Sequence, residues 1–382
     1  MIFAHTVNQG RLSQEQSVSN GMNILMIGTD RKLFEPASEV KKRFITYASL
    51  FNSLRVIVFT RLGYEIDTNS PQLSLYPTNS LHRLLYIWNA YRMGRRLQGV
   101  DVVSAQDPFE CGIAGWLIAR RLGAKLQLQI HTDFLSPYFI QGSFINRVRV
   151  YIARFLLSRA SCIRVVSEYI KISLIKKLSI KELCITTLPI FVDNIRKSEI
   201  DKNQNIREQY ASASHIILMA SRFTYEKNIL MGVRAMQEVI KKHPKALLLL
   251  VGDGPEKSKI QKYIHKHNLQ QNVIIKPWTE NIYQYYKSAD IFMMTSFYEG
   301  YGRTAIEAAY QNVPVIMTDV GIAIGSVVPI GHHKQLATSL IELIEHPDIR
   351  KRIVSEQKAF LSSLPSRDEY NELFKNQFNT CV

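Results

Sequence analysis

The amino-acid sequence predicts an α/β protein made of two doubly wound domains that face each other across a cleft. Three observations carry this prediction. The chain has 382 residues, enough for two domains at roughly 150 residues each. From Asn23 onward, short β-branched or apolar runs alternate with longer amphipathic stretches, the pattern of parallel strands joined by helices. The alternation lapses in a charged, amide-containing stretch (Lys197, Glu199, Asp201, Lys202, Asn203, Gln204) and then restarts.

In chain order, the first half offers strands at 24–28, 56–60, 102–105, 126–130, 163–166 and 185–188. The stretch 194–210 reads as a linker. Beyond it, strands are expected at 216–220, 247–252, 273–275, 291–294 and 315–318, with helical patterns between them and three more after Lys334. The resulting division is a disordered tail at 1–21, a first domain at 22–194, a second at 205–362, and a terminal segment at 363–382 with helical character at 367–378. Met22, immediately before the first strand, is a candidate for the real start of the protein, an expectation that the intact mass of the native protein would decide.

Composition narrows the function classes. Apolar residues make up 46% and charged residues 21%, which excludes a mainly disordered or collagen-like chain. No apolar run approaches the roughly 18 residues of a membrane span. Residues 1–21 are polar and do not resemble a secretory signal. Cys111, Cys162, Cys184 and Cys381 have no metal-site or redox spacing, so a reducing, cytoplasmic compartment is expected. The net charge of +16 is uneven, with 26 Lys and Arg against 14 Asp and Glu in residues 1–200 and 22 against 18 in the rest. That asymmetry points to an anionic partner.

Open parallel sheets bind ligands beyond the carboxyl ends of their strands, so the chemistry should sit just after strands and in the cleft. Two segments stand out there. After the strand at 291–294 come Glu299-Gly300-Tyr301-Gly302 and then Glu307. The glycines allow a tight turn, and the helix they open offers unpaired N–H groups to an anion. Glu299 in the loop and Glu307 in the helix suit sugar hydroxyls, although either could equally be a helix-entry or packing residue. After the strand at 216–220, Arg222 and Lys227 lie five residues apart at a strand-to-helix turn, placed to converge on a diphosphate or simply to be solvated. The turn Gly252-Asp253-Gly254 lacks the third glycine of a dinucleotide loop. His332-His333 has no third ligand at metal-site spacing.

Taken together, Ser221-Arg222 to Lys227, Val251-Gly252-Asp253-Gly254-Pro255, Glu299-Gly300-Tyr301-Gly302 with Glu307-Ala308, and Pro314-Val315 to Gly321 resemble the retaining glycosyltransferases of family 4 (glycosyl transferases group 1). The order and spacing hold from residue 23 to about 362. His131-Thr132-Asp133, Val166-Ser167-Glu168 and Leu188-Pro189 to Asp193 are similar to that family's weaker marks. The resemblance implies the GT-B fold, two Rossmann-like domains across a cleft, with a final helix crossing back to the first domain. It implies that Arg222 and Lys227 hold the donor diphosphate and stabilise the charge that develops on it. Glu307 would bind ribose, Glu299 the donor sugar, and the N–H groups of Tyr301 and Gly302 sugar or phosphate, while His131 reaches in from the first domain. The implied catalytic set is Glu299, His131, Arg222 and Lys227. No cofactor and no metal is expected, with the nucleotide sugar as substrate and a glycan or lipid-linked acceptor.

Some segments depart from the family pattern. The loop Thr29 to Glu35 lacks paired glycines, leaving Arg31 or Lys32 to supply charge; Ile190-Phe191 stands where many relatives carry Asn-Gly; and the stretch after Gly321 is short. The implied pathway is cell-envelope or surface-polysaccharide assembly. Alternatives are a sugar phosphorylase or epimerase on the same fold, and a non-catalytic nucleotide-sugar-binding relative. In the first domain, Leu81, Leu84, Leu85 and Trp88 recur at helical spacing beside Arg92, Arg95 and Arg96. Ile145, Val148, Ile152, Phe155 and Leu156 do likewise beside Arg147 and Arg154. These stripes read as sheet-packing faces with solvated cations. The other reading docks them on an anionic membrane at its inner face. No nucleic-acid-binding module is visible.

Overall fold

The computed structural model describes residues 21–192 and 206–381. The expected tail up to residue 20, Asp193 and most of the expected linker lie outside the described residues.

Two parallel sheets, each covered by helices, form the molecule. The first comprises β1 (Asn23–Gly28), β2 (Ser53–Val58), β3 (Leu73–Pro77), β4 (Val102–Ala105), β5 (Lys125–Ile130), β6 (Cys162–Val165) and β7 (Ile185–Thr187), in the order β3-β2-β1-β4-β5-β6-β7. The second comprises β8 (His215–Ala220), β9 (Ala246–Val251), β10 (Val273–Lys276), β11 (Ile291–Met294), β12 (Val315–Thr318) and β13 (Ser326–Val328), in the order β10-β9-β8-β11-β12-β13. The central strands are apolar without alternation because helices cover both faces; Ala246–Val251, for example, is buried at every residue. In both sheets the winding direction reverses beside the first strand. β1 lies between β2 and β4, and β8 lies between β9 and β11. The loops after β8 and β11 therefore emerge side by side at a crevice, which is why segments 70 residues apart in sequence share one site.

Strands β3 and β13 have no counterpart in the sequence reading. β3 is an edge strand whose burial alternates and which ends on Pro77, so its apolar signal is half that of a central strand. β13 has only three residues, after a stretch with glycines at 321 and 325.

The last helices divide between the two bodies. His333–Glu345 buries Leu336, Leu340 and Leu343 in the second core, and Pro347–Ser362 adds Ile353. The next helix, Arg367–Asn376, opened by a Ser366/Glu369 capping box, lies on the first domain. Its Phe374 stacks on Tyr47 with ring centroids 4.0 Å apart, and Phe378 meets Phe51 edge-on at 5.3 Å. Tyr370 accepts Arg164 Nη2 at 3.1 Å and packs 5.2 Å from Phe191, over which Arg367 also lies. Phe191 thus has a packing role against the crossing helix.

Two expectations need correction. Cys162 on β6 and Cys381 at the chain end are joined as a disulfide, with Cα atoms 5.0 Å apart. Their pairing is created by the crossing helix, so nothing in local cysteine spacing announces it. The apolar stripes pack on the sheet only in part. In Phe144–Leu157 it is Val150, Ala153, Leu156 and Leu157 that face inward, while Ile145, Val148 and Phe155 are exposed, as are Leu81, Leu84, Leu85 and Trp88.

Candidate active site

The site is built from three loops that follow strands. After β8 the chain makes a one-turn helix, Tyr225–Lys227, closed by Asn228 in the left-handed region (φ 46°). After β11, Thr295 Oγ1 donates to the Lys227 and Asn228 carbonyls at 3.1 and 3.0 Å, and Phe297 N donates to the Glu226 carbonyl at 2.8 Å. These bonds fasten the two loops together. Across them Lys227 Nζ meets Glu299 Oε1 at 2.5 Å, and Ser296 Oγ donates to the same oxygen at 2.7 Å. Arg222 stands apart from this pair. Its side chain is 78% exposed, with a guanidinium nitrogen 3.8 Å from Glu226. An exposed guanidinium beside a small crevice lined by Ser221, Lys227, Thr295, Ser296 and Thr304 is free to turn toward an incoming anion.

The glycines set the approach of backbone to backbone. Gly252 (φ 150°) passes so close to the Ser221 carbonyl that a Cβ there would collide with it, which locks the loop after β9 against the Arg222 segment. Gly302 (φ 94°) takes the N-cap of the helix Arg303–Tyr310. Tyr301, ahead of it, is buried, and its hydroxyl has no hydrogen-bond partner. Burial raises that phenol above the ordinary tyrosine range. Glu307 lies inside the helix, nearly buried. Arg303 Nε donates to its Oε1 at 2.7 Å and the Tyr286 hydroxyl to its Oε2 at 3.0 Å. Burial first, and the Glu307 charge second, push the Tyr286 phenol well up. Both oxygens of Glu307 are thus occupied, one of them by a mostly exposed arginine that can be displaced.

The first domain comes to this site through β5 and β6. A Cβ on Gly300 would strike the His131 carbonyl, and Ser167 Oγ donates to the Gly300 carbonyl at 2.8 Å. Tyr138 stacks on Phe297 with centroids 4.6 Å apart, and Phe139 meets Tyr298 edge-on at 5.5 Å. His131 Nε2 lies 3.2 Å from Gln129 Oε1, which also accepts Arg164 Nη1 at 2.9 Å. Burial, then the Arg164 charge, holds the imidazole down to about 3, so it is neutral at ordinary pH. A neutral imidazole can donate or accept a hydrogen bond but brings no charge to the cleft.

Of the sequence-predicted residues, the structure joins Lys227 to Glu299 and sets His131 against Gly300, with Tyr301 and Gly302 next in line. It leaves Arg222 on the rim and Glu307 bound to Arg303 of its own helix and to Tyr286 of a neighbouring one. Sequence reasoning missed Ser296, Arg164 and the Tyr138–Phe297 stack, and marked Ser167 only within Val166-Ser167-Glu168, without a role. Ser296 was within reach, three residues before Glu299. The others come from the opposite domain, which no local spacing reveals. In the loop after β1, Asp30 accepts Lys32 N and Arg31 is held by the Phe59 carbonyl and the Tyr86 hydroxyl. A groove of about 1030 Å³ between Leu50 and residues 362–376 carries Asp368, Glu369 and Glu372 but no cation, and does not suit a diphosphate. Among the described residues no cluster of His, Cys, Asp and Glu is placed to hold a metal ion.

Two parallel-sheet domains meeting at their strand ends define a protein of the GT-B fold. Comparison with known proteins agrees: "Glycosyltransferase Family 4" matches residues 53–196 and "Glycosyl transferases group 1" matches residues 201–360. The chain belongs to the family 4 glycosyltransferases. It is 27% identical to an alpha-monoglucosyldiacylglycerol synthase of Streptococcus pneumoniae over 68% of this chain and 62% of that one. It is 29% identical to the amylovoran biosynthesis glycosyltransferase AmsD of Erwinia amylovora over 67% and 68% of the two chains. The strongest matched regions span from 32% to 62% of the length of the relatives concerned. The crystal structure of Anabaena HepE in complex with UDP superposes with a TM-score of 0.72 at 18% identity, covering 94% of this chain and all of that one.

Proposed function

We propose that this chain moves a sugar from a nucleoside-diphosphate-sugar donor to a glycan or lipid-linked acceptor, with retention of anomeric configuration. The observation that carries the reading is the Lys227–Glu299 pair between the loops after β8 and β11, with the next residue, Gly300, lying against the His131 carbonyl of the other domain. Lys227 supplies a positive charge beside a crevice rimmed by Arg222, and these two cations would hold the diphosphate and stabilise the charge that grows on it as the sugar departs. Donor binding would free Glu299 to accept sugar hydroxyls while Lys227 turns to phosphate. The N–H groups of Tyr301 and Gly302 would touch sugar or phosphate. Glu307 would exchange Arg303 for the ribose hydroxyls. His131, neutral and half-buried, would bind a sugar hydroxyl from the first domain. The leaving phosphate is the base in this scheme, so a protein nucleophile is not required.

The names of the relatives support an envelope or polysaccharide setting: one makes a glucosylated diacylglycerol, another takes part in amylovoran biosynthesis. The structural neighbour with bound UDP supports a nucleotide donor. The test is calorimetric titration of nucleoside diphosphates and nucleotide sugars into wild type and Arg222→Ala, followed by proton NMR of any product linkage. Binding that weakens by about tenfold or more in the variant is expected. Absence of binding by every donor would overturn the reading.

A further inference from the structure

Three helices cover one face of the first sheet side by side: Tyr86–Gly94, Glu110–Leu122 and Phe144–Leu157. Each follows a parallel strand and runs back against it, so their N-terminal ends lie at the cleft end of the sheet. The third helix is apolar on two faces. Val150, Ala153 and Leu157 face the sheet, whereas Phe144, Val148, Tyr151 and Phe155, spaced four, three and four residues apart, face outward. Phe144 is 76% exposed and Tyr151 71%. On the first helix and its approach, Leu84 is 83% exposed and Trp88 57%. Between them Trp116 of the middle helix is half-buried and touches Phe155 edge-on at 5.3 Å. Single exposed apolar residues need no explanation, but aromatic and aliphatic groups raised together on one helical layer do.

The charge on this layer is one-sided. Arg92, Arg95, Arg120, Arg121, Arg147 and Arg154 are all exposed. The three helices contain a single carboxylate, Glu110, and Arg149 already holds it at 2.7 Å. The cations are arginines throughout, the side chain whose fork matches phosphate oxygens. A second copy of this chain would set these arginines against one another, and a solvated face would not raise Phe144, Leu84 and Tyr151. An anionic bilayer satisfies both components: apolar groups enter the boundary between headgroups and acyl chains while arginines meet lipid phosphates.

We propose that this helical layer is the surface by which the first domain docks on an anionic membrane, with Leu84, Trp88, Phe144 and Tyr151 inserted and the flanking arginines on the headgroups. The surface stands on its own residues. Its relation to acceptor delivery rests on the glycosyltransferase reading, because Phe144 begins one short helix beyond His131.

The experiment is co-sedimentation of the full chain with vesicles of phosphatidylglycerol and phosphatidylcholine, or of phosphatidylcholine alone, at low and high salt. Wild type is expected to pellet with the anionic vesicles and not with the neutral ones. Replacing Arg92, Arg95 and Arg154 by Gln should weaken the partition by about fivefold each, about a hundredfold together. The variant Leu84→Ser, Trp88→Ser, Phe144→Ser, Tyr151→Ser keeps the net charge and should also lose binding. All these residues are exposed, and unchanged thermal melting and nucleotide binding of the variants would separate docking from both folding and the donor site. Failure to pellet with anionic vesicles at low salt overturns the proposal, as does pelleting that ignores the substitutions. Sedimentation equilibrium showing a dimer that the variants dissociate would assign the surface to self-association instead.

Discussion

Lys227 and Glu299, 72 residues apart in sequence, meet at 2.5 Å between the loops that follow two neighbouring strands. Neither side chain is more than a fifth exposed, so the pair is a charge-assisted contact out of bulk water, held in place by Ser296 on the carboxylate side. It couples the cation that would meet phosphate to the carboxylate that would meet sugar.

Lys227→Met is therefore expected to weaken donor binding by about tenfold to a hundredfold, and Glu299→Gln to lower turnover more than affinity. Each single change leaves its partner short of one charge-assisted bond, costing about 1–3 kcal/mol of stability. The double variant should cost less than the sum. A cycle of urea unfolding measurements on the four proteins checks this; strict additivity would mean the pair is not coupled.

Gly300→Ala tests the seam between the domains. The added methyl would strike the His131 carbonyl, and the same turn accepts the Ser167 hydroxyl. The expected outcome is a displaced first domain: a larger radius of gyration in small-angle scattering and a fall in turnover, with the second domain intact by its near-ultraviolet circular dichroism. Unchanged scattering and turnover would show that the contact is not maintained in solution.

His131 gives a pH prediction with a definite sign. Its imidazole is held down to about 3 by burial and Arg164, against about 6.5 in an unfolded chain. Between those values the unfolded state binds a proton that the folded state refuses, so stability contributed by the neutral form is present above about pH 6.5 and is lost as pH falls toward 3. The loss is about 1.4 kcal/mol per pH unit for one such group. Urea unfolding at pH 7, 6, 5 and 4 should show wild type losing stability relative to His131→Gln at that slope. Parallel curves would mean that the residue titrates alike in both states.

The cysteines make a simple count. Cys162 and Cys381 are joined, while Cys111 and Cys184 are free. In denaturant without reductant two thiols should react per chain, and four after reduction. Removing the bond by Cys162→Ala with Cys381→Ala should lower stability by about 2–4 kcal/mol. Four reactive thiols in unreduced protein would be incompatible with the bond.

The central strands were legible because both their faces are buried and their sequences are continuous apolar runs. The Arg222 to Lys227 and Glu299 to Glu307 segments were legible because strand ends, glycines and charges fall together in sequence. β3 was not, since an edge strand alternating with Ser74 and Tyr76 and bounded by Pro71 and Pro77 reads like a loop. Tyr138 on Phe297 and Ser167 on Gly300 were not, since their partners lie in separate domains and only tertiary packing brings them together. The outward face of Phe144–Leu157 was misread for a different reason. Helical periodicity shows that a helix has an apolar side, but a helix apolar on two sides gives the same signal whichever of them meets the sheet.

The Cys162–Cys381 bond also changes what the molecule is as a covalent object. It closes a ring of chain that leaves the first sheet at β6 and returns to it through the last helix, and every strand from β8 to β13 lies inside that ring. The second domain is then an insertion tethered at both ends. A single break anywhere around the ring yields two polypeptides that still travel as one molecule until a reductant separates them.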